Sequence, residues 1–235
     1  PTNEKQKLRF FQQAKKNLTF SLNGNKAVYV DADSNLPLIG LNFLGIVDKG
    51  SEILEIKPIT NCNASCSFCS VNEGADSNKE VDFVVDKDYL VTETKDLLAW
   101  KGSSNMQLWI NPHGEPTLYA PLAEYCDEML QDEHVSHIHI ITNGLLVTKT
   151  VVDTLAALAT KYNKEVALSL SLSGLAQPDI MGKGYNVKLV LRNLEYAVTK
   201  LPVTITPVFV MGLNDDELTA LIELAKNMDK KSKHK

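Results

Sequence analysis

Three of the four cysteines of this chain lie within eight residues, and this cluster constrains the protein's chemistry more than any other feature. Cys62, Cys66 and Cys69 have the spacing C-x3-C-x2-C and follow an apolar run that begins at Ile53. Thiolates are soft ligands that suit zinc and iron–sulfur clusters. Three thiolates on one loop can hold a cubane cluster and leave one iron open for another ligand. The motif therefore favours an iron–sulfur site.

A structural zinc site is the alternative for these cysteines, and such a site closes around the metal with four protein ligands. No Cys or His lies between Cys69 and His113, so a fourth ligand is not close in sequence. Cys126 lies between Tyr125 and Asp127, and a free cysteine there is expected to be a small buried apolar residue rather than a redox group or methyl carrier. From the cysteines alone, a zinc or cluster-binding module without catalysis stays open.

Composition and charge narrow the class of protein. The 235 residues are 44% hydrophobic, enough for the core of one domain, and a complete α/β barrel has about 250 residues. The net charge of −5 predicts no general basic field for nucleic acid, although lysines make residues 226–235 basic. Clustered cysteines suit a reducing compartment. Without a signal peptide or an apolar run of about 18 residues, the sequence predicts a cytoplasmic protein and no membrane segment.

From residue 52 onward, apolar or β-branched runs alternate with helical segments. The predicted strands are Ile53–Lys57, Met106–Ile110, His137–Ile141, Val166–Leu172 and Val203–Val210. The predicted helices are Asp86–Trp100, Pro121–Gln131, Lys149–Tyr162, Val187–Lys200 and Asp215–Met228. Five successive βα units predict a parallel sheet with right-handed crossovers, and hence the α/β class.

Three regions follow from this pattern. Residues 1–51 are predicted to contain a helix at 3–17, a hairpin around Asn23-Gly24 and an ordered lead-in at 35–51. We interpret this region as a cap over one end of a barrel, with a substrate-recognition appendage as the alternative. Residues 52–228 form the β/α region, and residues 229–235 form a basic tail.

The turns after the second and third predicted strands are candidates for ligand contact, because ligands of parallel α/β folds sit at the carboxyl ends of strands. The second strand is followed by His113 and by Gly114, Glu115 and Pro116. Glycine permits close backbone approach there, and proline stiffens the turn. The third strand is followed by Thr142-Asn143-Gly144, which ordinary turn chemistry would also explain.

The last two predicted strands carry further candidates. Ser169, Ser171 and Ser173 alternate along the fourth strand and so share one face, where hydroxyls need hydrogen-bond partners. Met211 follows the fifth strand, and Asn214 is predicted to cap the last helix. His134, His137 and His139 are expected as surface and strand residues rather than as a metal site.

The cysteine spacing, with the aromatic Phe68 just before the last cysteine, resembles the signature of the radical S-adenosylmethionine (SAM) enzymes. Gly114, Glu115 and Pro116 resemble the Gly-Gly-Glu-Pro motif that binds the methionine amino group of SAM in that family, with His113 in place of the first glycine. Thr142-Asn143-Gly144 and the turn at Met211 resemble further family turns. By this resemblance Asn143 lies near the SAM methionine, Ser171 near its ribose or carboxylate, and Met211 near the adenine.

The resemblance implies an open parallel β/α barrel with a small N-terminal hairpin cap. It implies a [4Fe-4S] cluster on Cys62, Cys66 and Cys69, with SAM on the open iron. One electron from a donor of flavodoxin or ferredoxin type would cleave SAM to methionine and a 5′-deoxyadenosyl radical, which abstracts a hydrogen atom from the substrate. Such barrels have six βα units, so we expect chain beyond residue 235 rather than a five-unit enzyme.

A further resemblance bears on the class of substrate. Most of residues 36–228 resembles a group of archaeal radical SAM proteins, several of which carry a C-terminal RNA-binding extension. This favours a tRNA or other RNA nucleoside, and the alternative is a peptide, protein or small metabolite. Auxiliary clusters of the kind found in peptide-modifying relatives would need further cysteines, and only Cys126 remains.

Overall fold

The computed structural model of the protein describes residues 20–74, 77–176 and 178–232. The helix predicted for residues 3–17 and the last three residues of the predicted basic tail lie outside these ranges. The strands are β1 Lys26–Val30, β2 Gly45–Asp48, β3 Ile53–Lys57, β4 Val81–Val85, β5 Met106–Ile110, β6 Val135–Thr142, β7 Glu165–Leu170 and β8 Val203–Ile205. The α-helices are α1 Lys87–Lys101, α2 Leu122–Gln131, α3 Lys149–Tyr162, α4 Val187–Ala197 and α5 Glu217–Asp229.

Six strands form one sheet in the order β2-β3-β5-β6-β7-β8. Only the edge strand β2 runs antiparallel to its neighbour, and β3, β5, β6, β7 and β8 are parallel. The five parallel strands alternate with the five helices along the chain, as the sequence predicts. The carboxyl ends of these strands therefore meet at one edge, which we call the carboxyl edge of the sheet.

The two faces of the sheet differ in chemistry, because successive side chains of a strand point to opposite sides. One face is apolar and packs with the helices, mainly in one large core cluster, while a second cluster lies around α4 and α5. The large cluster includes Leu54 and Ile56 of β3, Leu108 and Ile110 of β5, Ile138 and Ile140 of β6, and Leu97, Met129 and Leu155 of the helices. We call the opposite face, which carries Glu55, Trp109 and His139, the inner face. This arrangement has the layers of an open β/α barrel.

The N-terminal region differs from the predicted hairpin in its pairing. The turn is present, since Phe20 pairs antiparallel with Lys26 and the backbone N–H of Ser21 donates to Asn25 O at 2.8 Å. However, β1 makes its strand pairing in parallel with β4, which the sequence analysis did not assign to any element. The second unassigned strand, β2, lies within the predicted lead-in and extends the main sheet at the β3 edge.

The end of the β/α region also differs from the prediction. β8 ends at Ile205 instead of Val210, and the following residues form a loop and turn. Asn214 does not cap α5, whose N-cap position is Asp216. The Asn214 side chain instead accepts a hydrogen bond from Val210 N and donates to Ser173 O and Val208 O, which fixes the loop after β8. Among the described residues, no helix has the length and apolar composition needed to cross a membrane.

Candidate active site

The three clustered cysteines lie on the loop that leaves the carboxyl end of β3. All three are free thiols of intermediate exposure, whereas Cys126 of α2 is fully buried in the core, as expected from its position. The loop is held on one side by the β4 residue Phe83, whose carbonyl accepts from Thr60 N at 3.1 Å. On the other side Ser67 N donates to Ile180 O at 3.0 Å. The cysteine loop is therefore fixed between β4 and the connection from β7 to α4.

Three glycines allow other segments to approach the backbone of the cysteine loop. A Cβ atom at Gly114 would lie 2.1 Å from Asn61 O, one at Gly74 would lie 2.0 Å from Ala64 O, and one at Gly182 would lie 2.6 Å from Ser65 N. Real Cβ atoms do not come so close, so any side chain at these positions displaces the loop. Gly114 is thus needed because the turn after β5 packs directly on the residues that precede Cys62.

Burial raises the pKa of two of the three clustered thiols, those of Cys62 and Cys66. Burial raises the pKa of the Cys62 thiol to about 12, and the nearby Cys66 and Cys69 contribute in the same direction. Burial and Cys69 raise the pKa of Cys66 to about 11. A bound metal reverses this, since a coordinating thiol loses its proton. The thiols are therefore close enough for the charge of one to affect the ionisation of another, and their arrangement suits a cationic group.

The thiols do not have the arrangement of a closed single-ion site. Among the described residues, no three His, Cys, Asp or Glu side chains surround a point where one metal ion could bind. In a cubane cluster each thiolate binds a different iron, so its ligands do not converge on one point. The three free thiols of this loop are soft donors of the kind that iron–sulfur clusters use.

Polar groups reach two of the sulfurs from different segments. Glu73 N donates to Cys69 Sγ at 3.4 Å, and Asn143 Nδ2 lies 4.0 Å from Cys62 Sγ. The thiol of Cys66 donates to Met181 O at 3.6 Å. Such outer contacts orient sulfur ligands and tune the group that they bind.

The predicted motif after β5 folds back into the protein through Glu115, which is only 2% exposed. Its carboxylate accepts hydrogen bonds from Thr117 N, Thr117 Oγ1 and Thr142 Oγ1 at 3.0, 2.6 and 2.6 Å, and from Asn143 N at 2.8 Å. Burial raises the pKa of Glu115 even though these donors stabilise the charged form. The side chain thus joins the ends of β5 and β6, and Pro116 is buried beside it at the start of a short 3-10 helix.

Asn143 lies at the point where the turn after β6 meets the cysteine loop. Its side chain donates to Asn63 Oδ1 at 2.8 Å and accepts from Leu145 N at 3.0 Å. Its backbone carbonyl accepts a hydrogen bond from the buried hydroxyl of Tyr185. The structure therefore brings Asn143 to Cys62. Its place near the SAM methionine stays a prediction.

The three predicted serines have different surroundings. Ser169 pairs with His139 Nε2 at 2.6 Å, and Ser173 accepts from Val208 N at 2.9 Å. Ser171 is half-buried at the carboxyl edge, just beyond the end of β7, and its backbone N–H donates to Thr142 O at 2.8 Å. The Ser171 hydroxyl has no hydrogen-bond partner among the residues that the structure describes. The Ser171 hydroxyl is therefore available to bind another molecule.

The remaining predicted cofactor residues are placed less closely around the thiols. Phe68 is half-buried and packs on the apolar cluster formed by Leu172, Met181 and Tyr185. Met211 is 84% exposed in the turn after β8. The backbone is the part of Met211 that the predicted adenine contact uses, so the exposure of its side chain leaves that prediction as it stands.

Asp82 of β4 is a central residue that the sequence analysis missed. Its fully buried carboxylate accepts from Ser21 Oγ at 2.5 Å, Asn25 Nδ2 at 3.0 Å, Asn61 Nδ2 at 3.0 Å and Thr60 Oγ1 at 3.3 Å. It thereby fixes the N-terminal turn to the start of the cysteine loop. The β-branched run Val81–Val85 was a usable signal for the strand. No local pattern indicates that the Asp82 carboxylate accepts hydrogen bonds from several segments.

Known proteins resemble this chain over most of its length. The model of the radical SAM superfamily matches residues 56–225. An uncharacterized protein of the archaeon Methanocaldococcus jannaschii is 27% identical over 220 residues, which are 92% of this chain and 50% of that protein. The mitochondrial GTP 3′,8-cyclase of Arabidopsis thaliana is 22% identical over 187 residues, which are 77% of this chain and 46% of that enzyme. The chain therefore spans about half the length of these curated relatives.

Among solved structures, a spore photoproduct lyase with bound AdoMet and dinucleoside spore photoproduct matches with a TM-score of 0.59. The match has 10% sequence identity and covers 88% of this chain and 58% of that one, so it bears on the fold alone. It confirms the predicted fold type. Because the superfamily model covers well over half of the chain, the protein belongs to the radical SAM superfamily, whose members are enzymes that use a [4Fe-4S] cluster and SAM.

Proposed function

We propose that this chain is the cluster-binding and SAM-binding part of an enzyme that modifies a nucleoside substrate by hydrogen-atom abstraction. The observation that carries the proposal is the set of three free thiols on one fixed loop at the carboxyl edge, within the region that matches the superfamily. When bound, the cluster and SAM supply one-electron chemistry, in which reductive cleavage of SAM gives methionine and a 5′-deoxyadenosyl radical.

Cys62, Cys66 and Cys69 would hold the cluster, and the protein's own contribution is to orient them. Gly74, Gly114 and Gly182 let three segments pack on the loop backbone, so the cysteines are positioned before the cluster binds. Asn143 Nδ2 approaches Cys62 Sγ and would donate to the sulfur after deprotonation. A site organised in advance loses little entropy when it takes up its ligand.

The turn after β5 would bind the amino-acid part of SAM through its backbone. Glu115 uses its carboxylate for hydrogen bonds within the protein, so the contact with the ligand would come from the backbone of this turn at Gly114, with Pro116 keeping the turn rigid. Ser171 supplies a hydroxyl without a partner in the described chain for a ribose hydroxyl or the SAM carboxylate. The backbone at Met211 would contact the adenine, and Phe68 would shape the apolar wall next to the cysteines.

A nucleoside substrate, such as one within tRNA or another RNA, has two supports. The relatives named GTP 3′,8-cyclase act on a purine nucleotide, as their name states. The inner face also carries Trp109 stacked on His139, with ring centroids 4.7 Å apart, and planar aromatic groups are typical of surfaces that bind bases. A peptide or small metabolite is the competing substrate class.

The reaction class is tested by anaerobic reconstitution with iron and sulfide, followed by dithionite, SAM and chromatography for 5′-deoxyadenosine. We expect about four irons per chain and deoxyadenosine formation. Cys62→Ala is expected to lose both, and Cys126→Ala serves as the matched control because that thiol is buried in the core away from the loop. One zinc per chain without sulfide or deoxyadenosine would overturn the proposal.

The substrate class needs a separate experiment. Deletion of the gene is expected to remove one modified nucleoside from digested tRNA, as seen by mass spectrometry, and wild-type gene on a plasmid should restore it where a Cys66→Ala copy does not. An unaltered nucleoside profile would favour the peptide or metabolite substrate. A flavodoxin or ferredoxin is the expected electron donor, and replacing dithionite by each purified donor tests that partner.

A further inference from the structure

Four side chains on the inner face of the sheet form a continuous hydrogen-bonded chain. His137 Nδ1 lies 2.9 Å from Glu165 Oε1, and His137 Nε2 lies 3.3 Å from His139 Nδ1. His139 Nε2 in turn lies 2.6 Å from Ser169 Oγ. Each imidazole therefore uses both of its ring nitrogens within the chain, which crosses from β7 to β6 and back to β7.

The direction of these hydrogen bonds follows from the chemistry of Glu165, the carboxylate at one end of the row. An ionised carboxylate only accepts, so His137 donates from Nδ1 to Glu165. In neutral His137 the other nitrogen, Nε2, must then accept, and His139 donates to it from Nδ1. This leaves His139 Nε2 as an acceptor, to which the Ser169 hydroxyl donates. All three hydrogen bonds consequently point from Ser169 towards Glu165.

Packing holds the two imidazoles in place. Trp109 of β5 stacks on His139 with an interplanar angle of 17°, and His139 stacks on His137 with ring centroids 5.5 Å apart. The indole N–H of Trp109 donates to Gln107 Oε1 at 3.2 Å. Because neither ring can rotate without losing a stacking contact, the chain of donors and acceptors is kept aligned.

Glu165 and Ser169, at the two ends of this row of hydrogen bonds, have different surroundings. The Glu165 side chain, at the start of β7, is 57% exposed, and that of His137 is 17% exposed. Ser169 is buried near the end of the same strand, two residues before Ser171 at the carboxyl edge. These hydrogen bonds thus connect a solvent-exposed carboxylate to a hydroxyl on the inner face beside the candidate active site.

We propose that Ser169, His139, His137 and Glu165 form a proton relay that removes a proton from a substrate O–H or N–H group on the inner face. In this step the substrate X–H bond breaks and its proton goes to Ser169 Oγ. The Ser169 proton passes to His139 Nε2, and the His139 Nδ1 proton passes to His137 Nε2. The bonding electron pair stays on the substrate, and the relay gains one proton as an imidazolium at His137 beside the Glu165 carboxylate.

The ionisation of the groups agrees with this direction. Burial lowers the pKa of both histidines, so the two imidazoles are uncharged at neutral pH and able to accept a proton. The charged neighbour is Glu165 on β7, which favours the imidazolium form of His137, and the β5 side chains that face the rings, Gln107 and Trp109, do not titrate. Only the identity of the substrate rests on the proposed function.

Nuclear magnetic resonance of the full chain labelled with ¹⁵N-histidine tests the relay, because it shows which ring nitrogens carry protons. At about pH 8 both His137 and His139 are expected to be protonated on Nδ1 only. On acidification His137 is expected to become doubly protonated while His139 changes to the Nε2-protonated form at the same midpoint. His137→Gln and His139→Gln assign the signals.

A variant of Glu165 completes the test. Glu165→Gln is expected to lower the protonation midpoint of His137 by about 1 pH unit, or about tenfold in proton affinity, whereas Glu124→Gln on the exposed face of α2 leaves it unchanged. An Nε2-protonated His139 at neutral pH, independent midpoints for the two rings, or a wild-type midpoint in Glu165→Gln would each overturn the relay. Iron and deoxyadenosine do not enter this measurement, so relay and proposed function can fail separately.

Discussion

The carboxylate of Glu115 accepts a hydrogen bond from the backbone N–H of Asn143 at 2.8 Å, which joins the turn after β5 to the turn after β6. The same carboxylate accepts from both groups of Thr117 and from the Thr142 hydroxyl. Asn143 also donates a hydrogen bond to Asn63 on the cysteine loop. The buried Glu115 therefore supports both the turn after β5 and the cysteine loop. The observed role of Glu115 is therefore to hold these segments together through hydrogen bonds.

Replacing Glu115 is expected to lower the stability of the protein as well as its affinity for SAM. Glu115→Ala leaves four donors without their acceptor in a buried site, and we expect the free energy of unfolding to fall by about 2–4 kcal/mol. Chemical denaturation measures this, and Glu124→Ala on the exposed part of α2 is the control. If unfolding were unchanged while SAM binding fell, the carboxylate would contact the ligand directly and our assignment would be wrong.

The approach of the turn after β5 to the cysteine loop makes a second prediction. Gly114→Ala places a Cβ atom about 2.1 Å from Asn61 O, and we expect a loss of about 3 kcal/mol together with reduced iron content after reconstitution. Gly102→Ala is the control, because that glycine has a φ of +65° and open space, so only backbone strain of about 1 kcal/mol results. Equal losses in the two variants would contradict the close contact.

The sequence predicted the β/α region well because its signals are local. The strands Ile53–Lys57 and Met106–Ile110 and the helix Lys149–Tyr162 have the predicted bounds, since apolar periodicity and caps determine them. The cysteine motif and the turn at Gly114 were likewise found from short patterns, and the structure brings both to one edge. The division into three regions stays a prediction.

Long-range pairing was not accessible from the same patterns. The strand Lys26–Val30 has a clear local signal, but its parallel pairing with Val81–Val85 joins segments more than fifty residues apart. Asp82 and Tyr185 act on the cysteine loop and its neighbour Asn143 only after the chain has folded. His137 and His139 were expected to be ordinary strand residues, because their partners Glu165 and Ser169 come from the next strand.

Asp82 gives a prediction for the pH dependence of stability. Burial raises its pKa, but hydrogen bonds from Ser21 and Asn61 outweigh this and hold the pKa below its usual value. A carboxyl whose pKa is depressed on folding contributes stability above its unfolded pKa of about 3.9, and this is lost as the pH falls through the folded pKa. In Asp82→Asn that contribution is absent at every pH.

We therefore expect Asp82→Asn to be less stable than wild type by about 1–3 kcal/mol near neutral pH, with the difference shrinking as the pH falls below about 4. Urea unfolding of both proteins at a series of pH values measures the difference. Asp33→Asn is the control, because Asp33 is an exposed acid of the N-terminal region. A gap between the two curves that stays constant with pH would contradict the depressed pKa.

The two serines at the carboxyl end of β7 allow ligand binding to be separated from stability. Ser173→Ala removes the fully buried hydroxyl that accepts from the backbone N–H of Val208, so we expect a loss of about 1 kcal/mol in unfolding free energy. Ser171→Ala removes a hydroxyl that has no partner in the described chain, and its unfolding free energy should change by less than about 0.5 kcal/mol.

If the Ser171 hydroxyl binds SAM, the loss of one hydrogen bond of about 1 kcal/mol should weaken SAM binding about fivefold, as measured by equilibrium dialysis with reconstituted protein. Iron content should be the same as in wild type, because no hydrogen bond joins Ser171 to a cysteine among the described residues. An affinity equal to that of wild type would remove Ser171 from the cofactor site and leave the turn after β5 as the main contact for the amino-acid part of SAM.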